Sequence, residues 1–348
     1  MIQTSMVSIA VDTMGGDFGP PETVAGAVAA ARARDIRVVL VGDPVQVSRE
    51  LAKHDTEDLP LTILSSEGVV AEGESPLKSF RQKPKASILV ATGAVKKGMA
   101  DAVVTMGSTG AAMAAAAVVL GVIEGIGRPC LGGPIIGYSP TTIIVDVGTS
   151  VDCRPHQLAS FAVAGDVFSR QFWGVKQPRV AILSVGSEAG KGDKLVKDTT
   201  ALMAETGVNF IGNIEGNDLP NNKADVVVCD GFVGNVVMKL TEGLGSTIVG
   251  RLRERLQDDL AEDKLNEVLD EVYNLTNMAQ SYGGGPILGV NGVSVVGHGR
   301  AKADAMARAI STAKRCVETK LIPEMNARLD TTSKVTMAAT SFNRPEKR

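Results

Sequence analysis

Five times along this chain an apolar, β-branched run ends in a glycine-rich turn and leads into helix-forming residues. The turns are Gly15-Gly16-Asp17, Gly107-Ser108-Thr109-Gly110, Gly148-Thr149-Ser150, the loop 186–193, and Gly231-Phe232-Val233-Gly234-Asn235. Few architectures accommodate that grammar. Strands that alternate with helices predict a parallel sheet covered by helices. In such a sheet the strand-to-helix turns share the carboxyl edge, where ligands bind. The opening follows the pattern, with strands expected at 6–11, 36–41 and 61–64 and a helix from Pro20 to about Arg34. Further strands are expected at 102–105, 142–147, 180–185, 208–214, 225–229 and 293–296. Helices are expected at 87–97, 111–120, 156–172, 301–320 and, with a break, 236–273. The 111–120 helix is apolar on every side, which predicts burial. Residues 67–84 read as a long irregular segment of the kind that forms binding loops or lids.

Glycine turns at helix starts have a specific chemistry. The first N–H groups of a helix have no intrahelical acceptor, and the helix dipole favours negative charge there. Glycine lets the backbone close on a ligand and present several N–H donors together. Candidate phosphate- or substrate-binding residues are therefore Asp12, Gly15, Gly16, Asp17, Gly107, Ser108, Thr109, Gly110, Gly148, Thr149, Ser150, Asp230, Gly234 and Asn235. Lys191, between two glycines after a strand, is a candidate catalytic cation for a developing oxyanion. His298, between Gly297 and Gly299 at another strand end, is a candidate catalytic donor to phosphate or to a leaving thiolate. Glu188 and Asp193 are placed to orient Lys191, while His54 and His156 read as inert or capping.

Several classes are excluded. No Gly-x-Gly-x-x-Gly follows the first strand, and Gly190-Lys191 continues into Gly192 rather than Ser or Thr, so neither a dinucleotide fingerprint nor a nucleotide triphosphatase loop is present. With 36 basic and 39 acidic residues the formal charge is -3, which rules out the basic footprint of a nucleic-acid binder. The carboxylates Asp12, Asp17, Asp146, Asp152 and Asp230 are too scattered to predict a metal site, and no cofactor is expected. Four dispersed cysteines and the lack of a secretory leader predict buried, reduced thiols in a cytoplasmic protein.

The set Val11-Asp12-Thr13-Met14-Gly15-Gly16-Asp17, Leu40-Val41-Gly42-Asp43, Met106-Gly107-Ser108-Thr109-Gly110-Ala111, Asp146-Val147-Gly148, loop 186–193, Phe210-Ile211-Gly212-Asn213, Asp230-Gly231-Phe232-Val233-Gly234-Asn235, Tyr282-Gly283-Gly284 and Gly297-His298-Gly299 resembles the bacterial phosphate acyltransferase (PlsX) family of phospholipid synthesis. The resemblance implies acyl transfer from acyl carrier protein to inorganic phosphate, without a cofactor. It implies a Rossmann-like αβα sandwich like that of phosphotransacetylases and isocitrate/isopropylmalate dehydrogenases, with protruding helices, in a homodimer. Residues 1–330 would form one catalytic α/β domain, with 236–275 protruding and 331–348 a polar tail. Thr13, Phe18, Ser108 and Thr149-Ser150 depart from the family's usual alanine, histidine, asparagine and alanine–asparagine. An acidic carrier protein would dock on Lys78, Arg81, Lys83 and Lys85 or on Arg251, Arg253 and Arg255. Leu252, Leu256 and Leu260 form an apolar stripe, read as dimer packing or as a transient membrane contact. The alternatives are a phosphotransacetylase using acyl-coenzyme A, a carrier-binding homologue with weak activity, and an isopropylmalate-type oxidoreductase.

Overall fold

The computed structural model describes residues 6–33 and 35–330, so the expected tail 331–348 and the expected helix end at Arg34 lie outside the described residues. The chain forms two compact units. One comprises the residues up to Ile123 together with Gln280–Pro323, and the other comprises Glu124–Ala279 with the residues from Glu324.

In the first unit, β1 (Val7–Asp12), α1 (Pro21–Ala31), β2 (Ile36–Gly42), α2 (Pro44–Leu51), β3 (Leu61–Ser65), α3 (Pro76–Gln82), α4 (Ser87–Lys96), β4 (Ala102–Thr105) and α5 (Thr109–Ala115) precede the second unit in the chain. Its last elements are β10 (Gly285–Leu288), β11 (Val293–Val296) and α11 (Ala303–Glu318). Strand order is β3-β2-β1-β4-β11-β10. The first five are mutually parallel, as the alternating pattern predicts, and β10 runs antiparallel to β11. Ile9, Ala10 and Val11 on β1 and Ala102, Val103 and Val104 on β4 are fully buried. Each such β-branched side chain contributes about 1.5–3 kcal/mol relative to exposure. Helices α1 and α11 meet closely at Gly26, where a Cβ would run into the Ala303 carbonyl and Met306. Glu22 also accepts from the Ala303 N–H at 2.8 Å.

In the second unit, β5 (Cys130–Pro134), β6 (Ile143–Val145), α6 (Pro155–Phe168), β7 (Arg179–Leu183), α7 (Lys194–Thr206), β8 (Asn209–Ile214), β9 (Val226–Val228), α8 (Gly231–Leu256) and α9 (Glu262–Thr276) follow in turn, and α10 (Met278–Ser281) leads out of it. The order is β5-β6-β9-β7-β8. Four strands are parallel and β5 is antiparallel to β6. Asp193 and Asp230 cap α7 and α8 by accepting from Val196 N and Val233 N, each at 2.8 Å. Residue Gly207 ends α7 in the left-handed conformation (φ 65°), which glycine adopts without steric cost.

Two local expectations change, and one strand lies where none is expected. Segment 67–84 contains α3, a helix too short for its period to show in the sequence. Its loop is pinned by Lys83, whose ammonium donates to the Val69 carbonyl and to Glu74, each at 2.9 Å. The 111–120 helix passes from α5 into a π-helical turn, Ala116–Leu120, and exposes one side, with Val118 63% exposed. Alanine gives no signal of which side that is. The glycine- and proline-rich stretch 125–140 holds β5, where Gly132 lies so close to Val145 that a Cβ would sit 2.8 Å from its side chain.

Candidate functional site

Each unit gathers its glycine turns at one carboxyl edge, and each does so around a buried aspartate. In the first unit Asp12 ends β1 at 1% exposure. Its carboxylate accepts from the Thr105 hydroxyl at 2.8 Å and from Met14 N at 3.3 Å, and Thr105 Oγ1 in turn accepts from Gly107 N at 2.9 Å. Burial raises the Asp12 pKa above the ordinary carboxylate value, while the bonds from Thr105 and Met14 oppose the rise. Gly15 lies against this pair, where a Cβ would come within 2.8 Å of Asp12 Oδ2 and Gly107 N. Gly16, at φ +88°, faces Met106 and the Gly299 carbonyl. The Gly299 carbonyl accepts from Asp17 N at 2.8 Å. The turns after β1, β4 and β11 are thereby tied together. They bring Asp12, Gly15, Gly16, Asp17 and Gly107 beside the 297–299 turn that carries His298.

His298 is exposed, and its Nδ1 accepts from Arg300 N at 3.2 Å. That bond leaves Nε2 as the N–H donor of the neutral ring. Ser108, Thr109 and Gly110 open α5. Ser108 is its N-cap and makes no side-chain cap bond, and Thr109 and Gly110 are exposed.

The second unit repeats the device. Asp146, fully buried, follows β6. It accepts from Leu131 N (3.2 Å), Thr149 N (3.1 Å), Thr149 Oγ1 (2.6 Å) and Ser150 N (2.7 Å). Gly231 N donates to the Ser150 carbonyl at 2.8 Å, and a Cβ on Gly231 would sit 2.8 Å from Asp146 Oδ2. Gly234 lies directly against the Asp146 carbonyl, and Gly148 lies against Asn235. Gly148, Thr149, Ser150, Asp230, Gly234 and Asn235 therefore form one cluster. The donors of Thr149 and Ser150 at its base are occupied by Asp146. They shape the turn rather than point outward.

Lys191 belongs to the neighbouring loop on the same edge, after β7, which is separated from β6 only by β9. Adjacent strands stand about 4.8 Å apart, so the two loops are near neighbours. Its N–H donates to the Glu188 carbonyl at 3.1 Å. Asn213 straps the loop by donating to the carbonyls of Gly186, Glu188 and Lys191 at 3.2–3.4 Å. The Lys191 side chain is exposed.

Thr105, Asp146 and Asn213 hold these turns in place, and the candidate set lacks them. Their signal was present, since Thr105 and Asp146 each stand just before a glycine turn and Asn213 closes a strand. Thr13, where the family usually carries alanine, donates its hydroxyl to the Val41 carbonyl at 2.9 Å inside the first unit. Among the described residues no group of three or more His, Cys, Asp and Glu side chains is arranged to hold a metal ion. No helix among them is long and apolar enough to cross a membrane.

Residues 7–324 match the family described as fatty acid synthesis protein. A phosphate acyltransferase of Desulforamulus reducens is 39% identical over 328 residues, covering 93% of this chain and 98% of its own. The chain belongs to the phosphate acyltransferase family. Among solved structures, a phosphotransacetylase from Streptococcus pyogenes superposes with TM-score 0.55 at 15% identity, over 96% of this chain and 95% of its own. A 4-hydroxythreonine-4-phosphate dehydrogenase from Klebsiella pneumoniae reaches TM-score 0.53 at 16% identity, over 90% and 98%. At such identities the likeness shows the fold alone. It corrects the expected isocitrate/isopropylmalate dehydrogenase-like Rossmann sandwich and agrees with the likeness to phosphotransacetylases. The chain has the fold of phosphotransacetylases and 4-hydroxythreonine-4-phosphate dehydrogenases. Strand–helix alternation is common to all α/β architectures. Strand order and the antiparallel partners β5 and β10 depend on long-range pairing that local periodicity does not encode.

Proposed function

We propose that this protein moves a fatty acyl group from an acyl carrier protein thioester to inorganic phosphate, releasing acyl phosphate and the carrier's free thiol. Membership of the phosphate acyltransferase family along nearly the whole chain carries the reading. A phosphate oxygen attacks the thioester carbonyl, the C–S bond breaks, and the thiolate takes a proton. Phosphate near neutrality is already an anionic nucleophile, so orientation and oxyanion stabilisation supply most of the catalysis. In the first unit the proposed phosphate contacts are the turns at Gly15, Gly16, Asp17 and 107–110, with His298 Nε2–H as donor. In the second unit Lys191 is the proposed cation for the oxyanion, with the turn at 148–150 and the start of α8 at 230–235 as proposed substrate contacts.

A homodimer is proposed through α8. Phe232, Val236, Leu240, Leu244 and Ile248 recur every fourth residue along it and are exposed. A two-fold partner would present the same stripe in return. Leu252, Leu256 and Leu260, the stripe singled out in the sequence, are half-buried in the stretch where α8 gives way to α9.

The test is phosphate-dependent release of carrier thiol from a long-chain acyl carrier protein, with labelled phosphate recovered as acyl phosphate. Lys191→Ala and His298→Ala, both at exposed positions, are each expected to lower kcat about 10²–10³-fold, the scale of a lost oxyanion donor. Full activity in both variants removes their roles. A preference for acyl-coenzyme A over the carrier thioester would reassign the donor.

A further inference from the structure

Helix α3 divides its residues between two faces. Ser79 is buried, and Phe80 packs on the core cluster that includes Val70, Ala86 and Ile88. Leu77, 59% exposed, and Lys78 and Arg81, also exposed, lie on the outer face at one-turn spacing. The four basic residues of this segment do not have equal roles. Lys83 is held by Glu74 at 2.9 Å and by the Val69 carbonyl, and Lys85 by Glu67 at 2.7 Å. Lys78 and Arg81 enter no ion pair among the described residues. Glu74 and Glu67 are thus neutralised within the segment, Glu72 is exposed on the loop before it, and α3 itself carries no carboxylate. The outer face has one apolar anchor and two uncompensated positive charges.

Its position bears on the reaction. Pro76, the first residue of α3, has its Cγ 3.8 Å from where a Cβ on Gly110 would stand. The charged face therefore begins beside the turn at 107–110.

We propose that the outer face of α3, formed by Leu77, Lys78 and Arg81, docks the acidic carrier protein that delivers the thioester. This rests on the donor being an acyl carrier protein. The other arginine group suits that partner less well. Arg253 is bonded to Asn266 at 2.8 Å, and the exposed acids Asp258, Asp259, Glu262 and Asp263 follow it closely. Arg251 also stands about 30 Å along α8 from Gly231, at 1.5 Å per residue.

The experiment titrates holo-acyl carrier protein into the full chain by calorimetry at two ionic strengths. The wild type is compared with the Lys78→Glu/Arg81→Glu double variant and with Lys85→Gln. Reversing two docking charges is expected to weaken binding about tenfold or more and to remove most of its salt dependence. KM for the acyl carrier thioester should rise by the same factor, while Lys85→Gln binds as the wild type does. Wild-type affinity in the double variant, with acyl phosphate still formed, overturns the docking face and leaves the reaction standing. No carrier binding by the wild type defeats the reading on which both rest. The same variants are run against phosphatidylglycerol vesicles. Loss of vesicle binding with unchanged carrier affinity would give the face to a lipid surface and overturn the proposal.

Discussion

Replacing Asp146 should damage the second unit far more than removal of one side chain ordinarily does. Its two oxygens receive three backbone N–H groups and one hydroxyl, all within 3.2 Å. Hydrogen bonds to a charged acceptor contribute about 1.5–3 kcal/mol each, and a buried donor left unmatched costs about 1–3 kcal/mol. Asp146→Asn keeps one carbonyl oxygen. The cheaper orientation gives that oxygen to Thr149 and Ser150 and turns the amide NH2 toward Leu131 N. One donor then loses its acceptor and three meet a neutral one, for an expected loss of about 3 kcal/mol. Asp146→Ala strands all four, for about 5 kcal/mol or more, comparable with the whole stability of a typical domain. Urea titration followed by circular dichroism measures both. The midpoint should fall from wild type to Asn to Ala with the slope retained. Equal midpoints for wild type and Asn would refute the account of Asp146 as the post around which turn 148–150 is built.

Asp225 gives a pH prediction. Burial pushes its carboxyl upward, but the Arg179 side chain and backbone N–H outweigh this and hold its pKa below the usual value. A lowered pKa adds stability above the unfolded value near 3.8 that is lost as pH falls through the folded one, so Asp225→Asn should be destabilised at pH 7 and lose less than wild type on acidification below 3.8. Burial first, then Asp146 and Asp230, raises the Cys153 thiol to about 11, and burial raises Cys130, Cys229 and Cys316 as well. Iodoacetamide at pH 8 should therefore leave all four unmodified until the chain is denatured, and rapid labelling of native protein would contradict the packing. Leu240→Asp with Leu244→Asp should convert a dimer to a monomer by light scattering without loss of helix, and an unchanged mass would exclude the α8 face.

Much of the fold is legible locally. Strands β4 and β11 begin and end where their apolar runs do, but α8 starts at Gly231, five residues before the expected 236, so residues 231–235 are helix rather than a turn. Strand β5 is hidden because Gly132, Gly133 and Pro134 form a ladder only with β6 alongside. Helix α3 is hidden because seven residues barely make two turns. At the site, chain order shows which turns carry glycine but not which donors remain for a ligand. The hydroxyl of Thr149 reads as a ligand contact until Asp146 is seen to accept it at 2.6 Å. The α8 stripe is hidden in the sequence because exposure depends on what packs against each turn.

The second unit interrupts the first in the chain, and this bears on synthesis. As the protein emerges from the ribosome, β1 to β4 appear first, yet β4 must wait for β11 at Val293–Val296 to cover its open side. All five strands of the later unit arrive meanwhile in one uninterrupted stretch between Cys130 and Val228. The sheet that begins first is thus completed last, with one edge of β4 unpaired until β11 arrives.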